Sequence, residues 1–159
     1  MTIMLKWTLA LFLLLVSALA AYAQTEHDVL ASIAKSHIEA NVPDRQHFEE
    51  YLKRDLAAYF KKQSGKDVTV EYELLRDGPT QAGIAFPKFY AWVTIREKQT
   101  VIDQGAVRLA AIQKEKFDVT HFLKRSEELQ TQDAASKIFP ADVVKKIDAK
   151  IGKVKKSEG

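Results

Sequence analysis

The stretch KFYAWVTIRE, residues 88–97, decides the fold. Its apolar residues recur at every second position, which predicts a strand with one face toward a core; they are Phe89, Ala91, Val93 and Ile95. A second alternation covers residues 68–74, and a third strand runs from about 101 to 114 after a short polar turn at 98–99. So short a turn predicts an antiparallel hairpin, and Gly105 inside the third strand predicts a bulge.

Helices flank these strands in the sequence. The clearest has an apolar stripe at a period near 3.6 and ends at Gly65; the stripe is Phe48, Tyr51, Leu52, Leu56, Tyr59 and Phe60. An earlier helix is predicted over about 25–41, and a last helix has Pro140 in its first turn and ends at Gly152. Residues 117–123 fit either an extension of the third strand or the start of a helix.

Two helices, three strands and then further helices predict an α+β domain with a three-stranded antiparallel sheet. We expect the first two helices and the last helix to cover one face of this sheet. The element order loosely resembles the two-layer cystatin-like and nuclear-transport-factor-like folds. The domain should span residues 24–152, with a short helix starting near Ser126 and a basic flexible tail at 153–159.

The N-terminus has the features of an export signal. Lys6 precedes an apolar run, small residues follow, and Ala21-Tyr22-Ala23 fits the rule for signal peptidase. We therefore predict a signal peptide at residues 1–23, cleavage after Ala23, and a periplasmic or secreted location. The alternative is an uncleaved membrane anchor, because a spanning helix needs about 20 apolar residues.

The 159-residue chain contains no cysteine. This excludes disulfides, thiol catalysis, cysteine–zinc sites and lipid attachment at a cysteine. Export without disulfides favours a bacterial periplasmic protein with a self-sufficient core. The net charge is +3, and it falls to +2 without the signal peptide because Lys6 is the only charged residue lost. A nearly balanced charge gives no argument for nucleic-acid binding.

Motifs for the common chemistries are missing from the sequence. It has no phosphate-binding loop, dinucleotide fingerprint, nucleophile elbow or zinc-protease motif. His27, His37 and His47 are ten residues apart, a spacing that does not return to one helix face, and His121 is remote from them. We therefore predict no metal site and no cofactor.

The far face of the sheet is the predicted binding surface. If Phe89 and its alternate neighbours enter the core, Tyr90 and Trp92 point away from it, and Gln104 and Arg108 of the third strand share their face. Tyrosine, tryptophan and arginine are the residues most enriched at binding hot spots. The alternative is that a helix covers this face and forms a second, minor core. The first interpretation predicts a non-enzymatic module that binds a protein or small-molecule partner in the cell envelope.

Two carboxylates support an alternative function. Asp55 interrupts the apolar stripe of the second helix, and Asp103 lies on the third strand. If Asp55 is partly buried, an enzyme or small-molecule pocket could use either carboxylate as a general base. The simpler interpretation of Asp55 is a stripe-edge residue that pairs with a lysine.

The C-terminal lysines support a third function, a peripheral envelope protein. The last helix and the tail are rich in lysine, and a basic amphipathic segment can lie on an anionic membrane; the lysines are Lys145, Lys146, Lys150, Lys153, Lys155 and Lys156. More simply, they form the solvated face of a packed helix. A homodimer is compatible with any of the three functions.

Overall fold

The computed structural model describes residues 28–131 and 133–152. Helix α1 covers 28–41 of these, and the remaining elements are α2 Arg45–Ser64, β1 Thr69–Leu74, β2 Lys88–Glu97, β3 Thr100–Ile112, β4 Lys116–Lys124, α3 Arg125–Gln130, a 3₁₀ turn Ala135–Lys137 and α4 Ala141–Ile151. The predicted signal peptide and basic tail lie outside the described residues. Within them, no helix is long and apolar enough to span a bilayer.

The strands form one antiparallel sheet in the order β1-β2-β3-β4. The predicted α+β class and antiparallel pairing are confirmed, but the predicted number of three strands is wrong. Residues 117–123, which fitted a strand extension or a helix, belong to a fourth strand. The chain reverses before it in a tight turn in which Glu115 N donates to Ile112 O at 3.1 Å.

That turn places two ordinary residues in the left-handed region. Gln113 has φ 52° and Lys114 has φ 61°, a pair of values that two-residue hairpins normally reach with Asn-Gly or Asp-Gly. Asn41, the last residue of α1, stabilises this turn. Its Oδ1 accepts a hydrogen bond from Gln113 N at 3.1 Å, and its backbone oxygen accepts one from Lys114 N at 2.8 Å. A tertiary contact therefore stabilises a turn whose own sequence does not favour it.

Helix α2 covers one face of the sheet, as its stripe predicts. Leu52, Leu56 and Phe60 are buried against the alternate residues of β2 and β3. The predicted inward set is confirmed and consists of Phe89, Ala91, Val93, Ile95, Val107, Leu109 and Ala111. Asp44 caps the helix start by accepting from two backbone amides, and Gly65 ends it with φ 66°.

Helix α4 covers the opposite face, so the expectation that it shares a face with α2 is wrong. Val143, Ile147 and Ile151 pack with residues of the 3₁₀ turn region and the sheet in a second core, whose sheet-side and connecting members are Leu75, Tyr90, Trp92, Ala106, Leu123, Ala135 and Phe139. Both faces of β2 are apolar, and each therefore needs a helix to exclude water. The sheet lies between two helical layers, which differs from the predicted two-layer arrangement.

Helix α1 does not cover the sheet as expected. Among residues 28–41 only Asn41 is buried, and the apolar side chains of Val29, Leu30 and Ile33 are exposed. Its described part serves the fold mainly through the contacts of Asn41 with the β3–β4 turn.

Candidate functional site

The predicted aromatic face is covered. Tyr90 and Trp92 retain only 4% and 7% of their surface, because the second core closes over them. Tyr90 packs edge-on against Phe139 with ring centroids 6.1 Å apart, and its hydroxyl lies 2.6 Å from Thr80 Oγ1. The open-face interpretation is therefore wrong, and the covered-face alternative describes this part of the fold.

The four predicted binding residues do not form one site. Trp92 and Gln104 line a shallow groove of about 350 Å³ beside the C-terminal end of α4. Arg108 lies nearer β4, where it contacts Thr120 and His121, and Tyr90 is part of the second core. Whether any of the four binds a partner stays a prediction.

Several polar side chains of the groove already have partners. Glu73 pairs with Lys150, Glu71 Oε1 accepts from Arg96 Nε at 3.1 Å, and Gln104 Nε2 donates to Thr94 Oγ1 at 3.0 Å. The groove offers little apolar surface, because most of its lining residues are charged or polar and Trp92 is only 7% exposed; this makes it a weaker candidate for a ligand site.

A better candidate is a cleft of about 210 Å³ at the end of the sheet where β2 passes into β3. We call it the hairpin-end cleft. The C-terminal turns of α2 form one wall, and β2, β3 and β4 form the other; the lining residues are Tyr59, Phe60, Gln63, Ser64, Ile95, Ile102, Asp103, Phe122 and Lys124. Aromatic and aliphatic groups make up the majority of this lining, as in most small-molecule sites.

One ion pair supplies the charge in the cleft. Asp103 Oδ2 lies 3.1 Å from Lys124 Nζ, and the side chains of Asp103 and Lys124 are 27% and 47% exposed. Asp103 Oδ1 also accepts from Gln104 N at 2.9 Å, which fixes the carboxylate. The Ser64 hydroxyl donates to Phe60 O at 2.7 Å and so closes the last turn of α2.

Two local features of β3 shape the cleft. The β2–β3 pairing shifts between Ile95 and Arg96, so that Ile102 is an extra residue and both Ile102 and Asp103 reach the cleft. The bulge predicted at Gly105 therefore lies a few residues earlier. Gly105 itself pairs regularly, and its missing side chain lets Phe122 and the backbone of Leu123 approach closely.

Exposed apolar surface continues outward from the cleft. Val101, Ile102 and Leu129 are 42%, 39% and 53% exposed. They line a second, more open depression of about 320 Å³ between β3 and α3, which shares Ile102 and Asp103 with the cleft. Contiguous apolar surface of this kind marks interaction sites more often than isolated exposed residues do.

Of the cleft residues, sequence reasoning singled out Asp103 as a candidate functional group. Ile102, Phe122 and Lys124 were missed. The available signal was the pair Val101-Ile102, which breaks the alternation of β3 and places two apolar residues next to each other.

Asp55, the other candidate carboxylate, ties α2 to β4. Its oxygens accept from Arg54 Nε at 2.8 Å and from Phe117 N at 2.7 Å, while Arg54 Nη2 donates to Glu115 O at 2.6 Å. Its partner is thus Arg54 rather than the expected lysine. Both carboxylate oxygens accept hydrogen bonds, and the bond from Phe117 N joins α2 to β4. These contacts give Asp55 a structural role.

The histidines of the described residues are dispersed. His37, His47 and His121 lie on α1, α2 and β4, and His27 lies outside the described part. Across 28–131 and 133–152, no three side chains of the metal-binding types converge on one point.

Comparison with known proteins finds no matching family model, no similar curated protein and no similar solved structure.

Proposed function

We propose that this protein is an exported, non-enzymatic binding module that holds the apolar part of a small amphipathic ligand in the hairpin-end cleft. The observation that carries the proposal is an apolar cleft with a single ion pair, Asp103–Lys124, within its lining. Apolar walls with a few placed polar groups are the usual composition of ligand sites, because the walls supply affinity and the polar groups fix orientation.

The size of the cleft limits the ligand. A volume of 210 Å³ corresponds to roughly seven water molecules at about 30 Å³ each. This room suits one branched or aromatic group or a short acyl chain. The exposed apolar surface at Val101 and Leu129 then offers contact to the remainder of a longer ligand.

The ion pair can exchange partners with a charged ligand. Lys124 is about half exposed, and an anionic head group could pair with its ammonium while Asp103 keeps its bond from Gln104 N. Exposed ion pairs contribute only about 0–1 kcal/mol, so such an exchange costs little.

The cleft supports binding better than catalysis. Its carboxylate is ion-paired, its serine hydroxyl is bonded within α2, and the described residues of its lining include no histidine. The alternative is a pocket with a catalytic carboxylate, and substitution of Asp103 would test it.

The peripheral-membrane alternative finds less support. The apolar residues of α4 that would enter a bilayer, Val143, Ile147 and Ile151, are buried in the second core. Lys150 pairs with Glu73. A helix can insert its apolar face into a membrane only when that face is free.

The binding proposal is tested with 1-anilinonaphthalene-8-sulfonate, a fluorescent probe with an apolar body and an anionic head. We expect saturable binding by the folded protein and clear weakening in Ile102→Ser, which removes a cleft wall. The control is Ile84→Ser, which removes an isoleucine that is 84% exposed in the loop between β1 and β2. Equal probe binding by both variants and the parent protein would contradict the proposal.

Export is tested separately by expression in a bacterial host. We expect the periplasmic fraction to contain a chain that begins at Gln24, shown by intact-mass measurement. A chain that retains Met1 would refute cleavage without affecting the binding experiment.

A further inference from the structure

A group of nitrogen-bearing side chains lies on the α4 side of the sheet, away from the cleft. The strand register places Tyr90 opposite Arg108 and Arg108 opposite His121. Lys88 precedes Tyr90 by two residues on β2 and so lies on the same face. Three neighbouring strands therefore bring Lys88, Arg108 and His121 to one part of the surface.

Arg108 is held in place by neutral groups. Its Nε donates to Thr120 Oγ1 at 3.1 Å, its Nη1 donates to Ile138 O at 3.2 Å, and its Nη2 lies 2.7 Å from His121 Nδ1. No carboxylate of the described residues lies within 4.0 Å of the guanidinium. Because arginine has five N–H donors, two of them have no partner among the described residues.

Lys88 adds a second positive charge, and among the described residues its ammonium has no bonded partner and makes no ion pair within 4.0 Å. Asp118 attracts it, but Asp118 itself pairs with Lys116 at 3.3 Å. Partial burial lowers the pKa of Lys88, and the positive charge of Arg108 lowers it further.

His121 contributes a neutral donor. A guanidinium can only donate, so Nδ1 of His121 must accept and its proton lies on Nε2. Burial and the charge of Arg108 both lower the pKa of His121 and favour this neutral form. The His121 side chain is exposed, which leaves the Nε2–H accessible.

We propose that Lys88, Arg108 and His121 form a binding site for a phosphate-type oxyanion, independent of the hairpin-end cleft. The charges of Lys88 and Arg108 repel each other, and Asp118, the carboxylate that attracts Lys88, already pairs with Lys116. A tetrahedral oxyanion supplies a further negative charge and accepts the remaining N–H groups in short, charge-assisted hydrogen bonds. The oxyanion could be a free phosphate or the phosphate of a lipid head group, since both present the same oxygens.

The first experiment follows the imidazole signals of His121 by NMR in the full chain, at constant pH and ionic strength, as inorganic phosphate replaces chloride. We expect a saturable change. In pH titrations recorded with and without phosphate, the pKa of His121 should be higher with phosphate, because a bound anion stabilises the imidazolium. Lys88→Met and Lys88→Gln should each weaken phosphate binding about tenfold, which corresponds to about 1.4 kcal/mol. The control Lys62→Met removes an exposed lysine of α2, on the other side of the sheet, and should bind phosphate as the parent does.

A second experiment identifies the source of the phosphate. Sedimentation with phosphatidylglycerol vesicles, but not phosphatidylcholine vesicles, that depends on Lys88 would assign a lipid head group. A response to inorganic phosphate alone would assign a free phosphate. The proposal is overturned if phosphate produces no saturable change, or the same change in the parent, the Lys88 variants and the Lys62 control.

Discussion

The substitution Gly105→Ala should damage both the sheet and the hairpin-end cleft. The added Cβ would lie 2.7 Å from Cε2 of Phe122 and 3.0 Å from the carbonyl carbon of Leu123, and it would overlap the carbonyl oxygen of Leu123. Ordinary carbon contacts are about 3.5–4.0 Å. Two of these three atoms belong to the backbone of β4, so a change of side-chain rotamer cannot relieve the overlap.

The expected cost follows from the strand pairing. Gly105 pairs with Lys124 at the end of the β3–β4 ladder, and separating the strands there strains or breaks hydrogen bonds worth about 1 kcal/mol each. Overpacking alone costs about 1–3 kcal/mol. We therefore expect the free energy of unfolding to fall by about 3 kcal/mol.

Urea denaturation followed by circular dichroism measures this change. The matched control is Gly83→Ala, at a glycine with φ +53° whose new Cβ would have no neighbour within 4 Å. Its cost is limited to backbone strain of about 1–2 kcal/mol. A Gly105→Ala protein that is as stable as the Gly83→Ala protein would refute the close-approach argument. Because Phe122 lines the cleft, Gly105→Ala should also weaken binding of the fluorescent probe.

Three further predictions concern other parts of the molecule. Trp92→Ala should lower the free energy of unfolding by about 3–5 kcal/mol, as for other buried aromatic residues. In a Trp7→Phe background, in which Trp92 is the remaining tryptophan, its fluorescence should resist quenching by acrylamide. Ready quenching would mean that the second core is not closed. Asp55→Ala leaves the backbone N–H of Phe117 on β4 without its acceptor and should lower the free energy of unfolding by about 1–3 kcal/mol in the same denaturation assay. The control Asp67→Ala removes one partner of an exposed surface ion pair and should lower it by less than about 1 kcal/mol. The hydrogen bond that protonated His47 donates from Nδ1 to the Asp44 carboxylate raises the pKa of His47 above 6.5. This contact is therefore complete below the histidine's ordinary pKa and is lost as the pH rises through the raised pKa. An NMR titration of the Asp44→Asn protein should show the pKa of His47 return toward 6.5; an unchanged pKa would contradict this assignment.

The sequence predicted the elements whose signals are local. The stripe of α2 and the alternation of β2 and β3 depend on spacing within one segment, and the structure buries the expected faces. Strand β4 was ambiguous because its turn uses Gln113 and Lys114 at positive φ and depends on Asn41, far away in the chain. No window of sequence around residue 113 contains that contact.

The same dependence on contacts between distant segments explains why most of the candidate site could not be predicted from the sequence. Asp103 could be named from the sequence because it is a carboxylate on a strand. Its partner Lys124 and the aromatic wall at Phe122 belong to β4, and the position of Ile102 depends on a pairing shift, so each required knowledge of tertiary pairing. The aromatic face was misassigned for a related reason: Trp92 has the same alternation whether or not a helix covers it.

Closure of both faces limits where a ligand can reach the sheet. With α2 on one face and α4 on the other, the centre of the sheet is core, and a ligand can reach only its ends and the parts that the helices leave uncovered. The hairpin-end cleft occupies one such end, where apolar side chains stay exposed beside the pair Asp103–Lys124. The cations Lys88 and Arg108 occupy another part, where the strand register gathers charge without a carboxylate partner in the described residues. The two places differ in chemistry, since one is apolar and the other cationic, so substitutions at Ile102 and at Lys88 should act on the two probes independently.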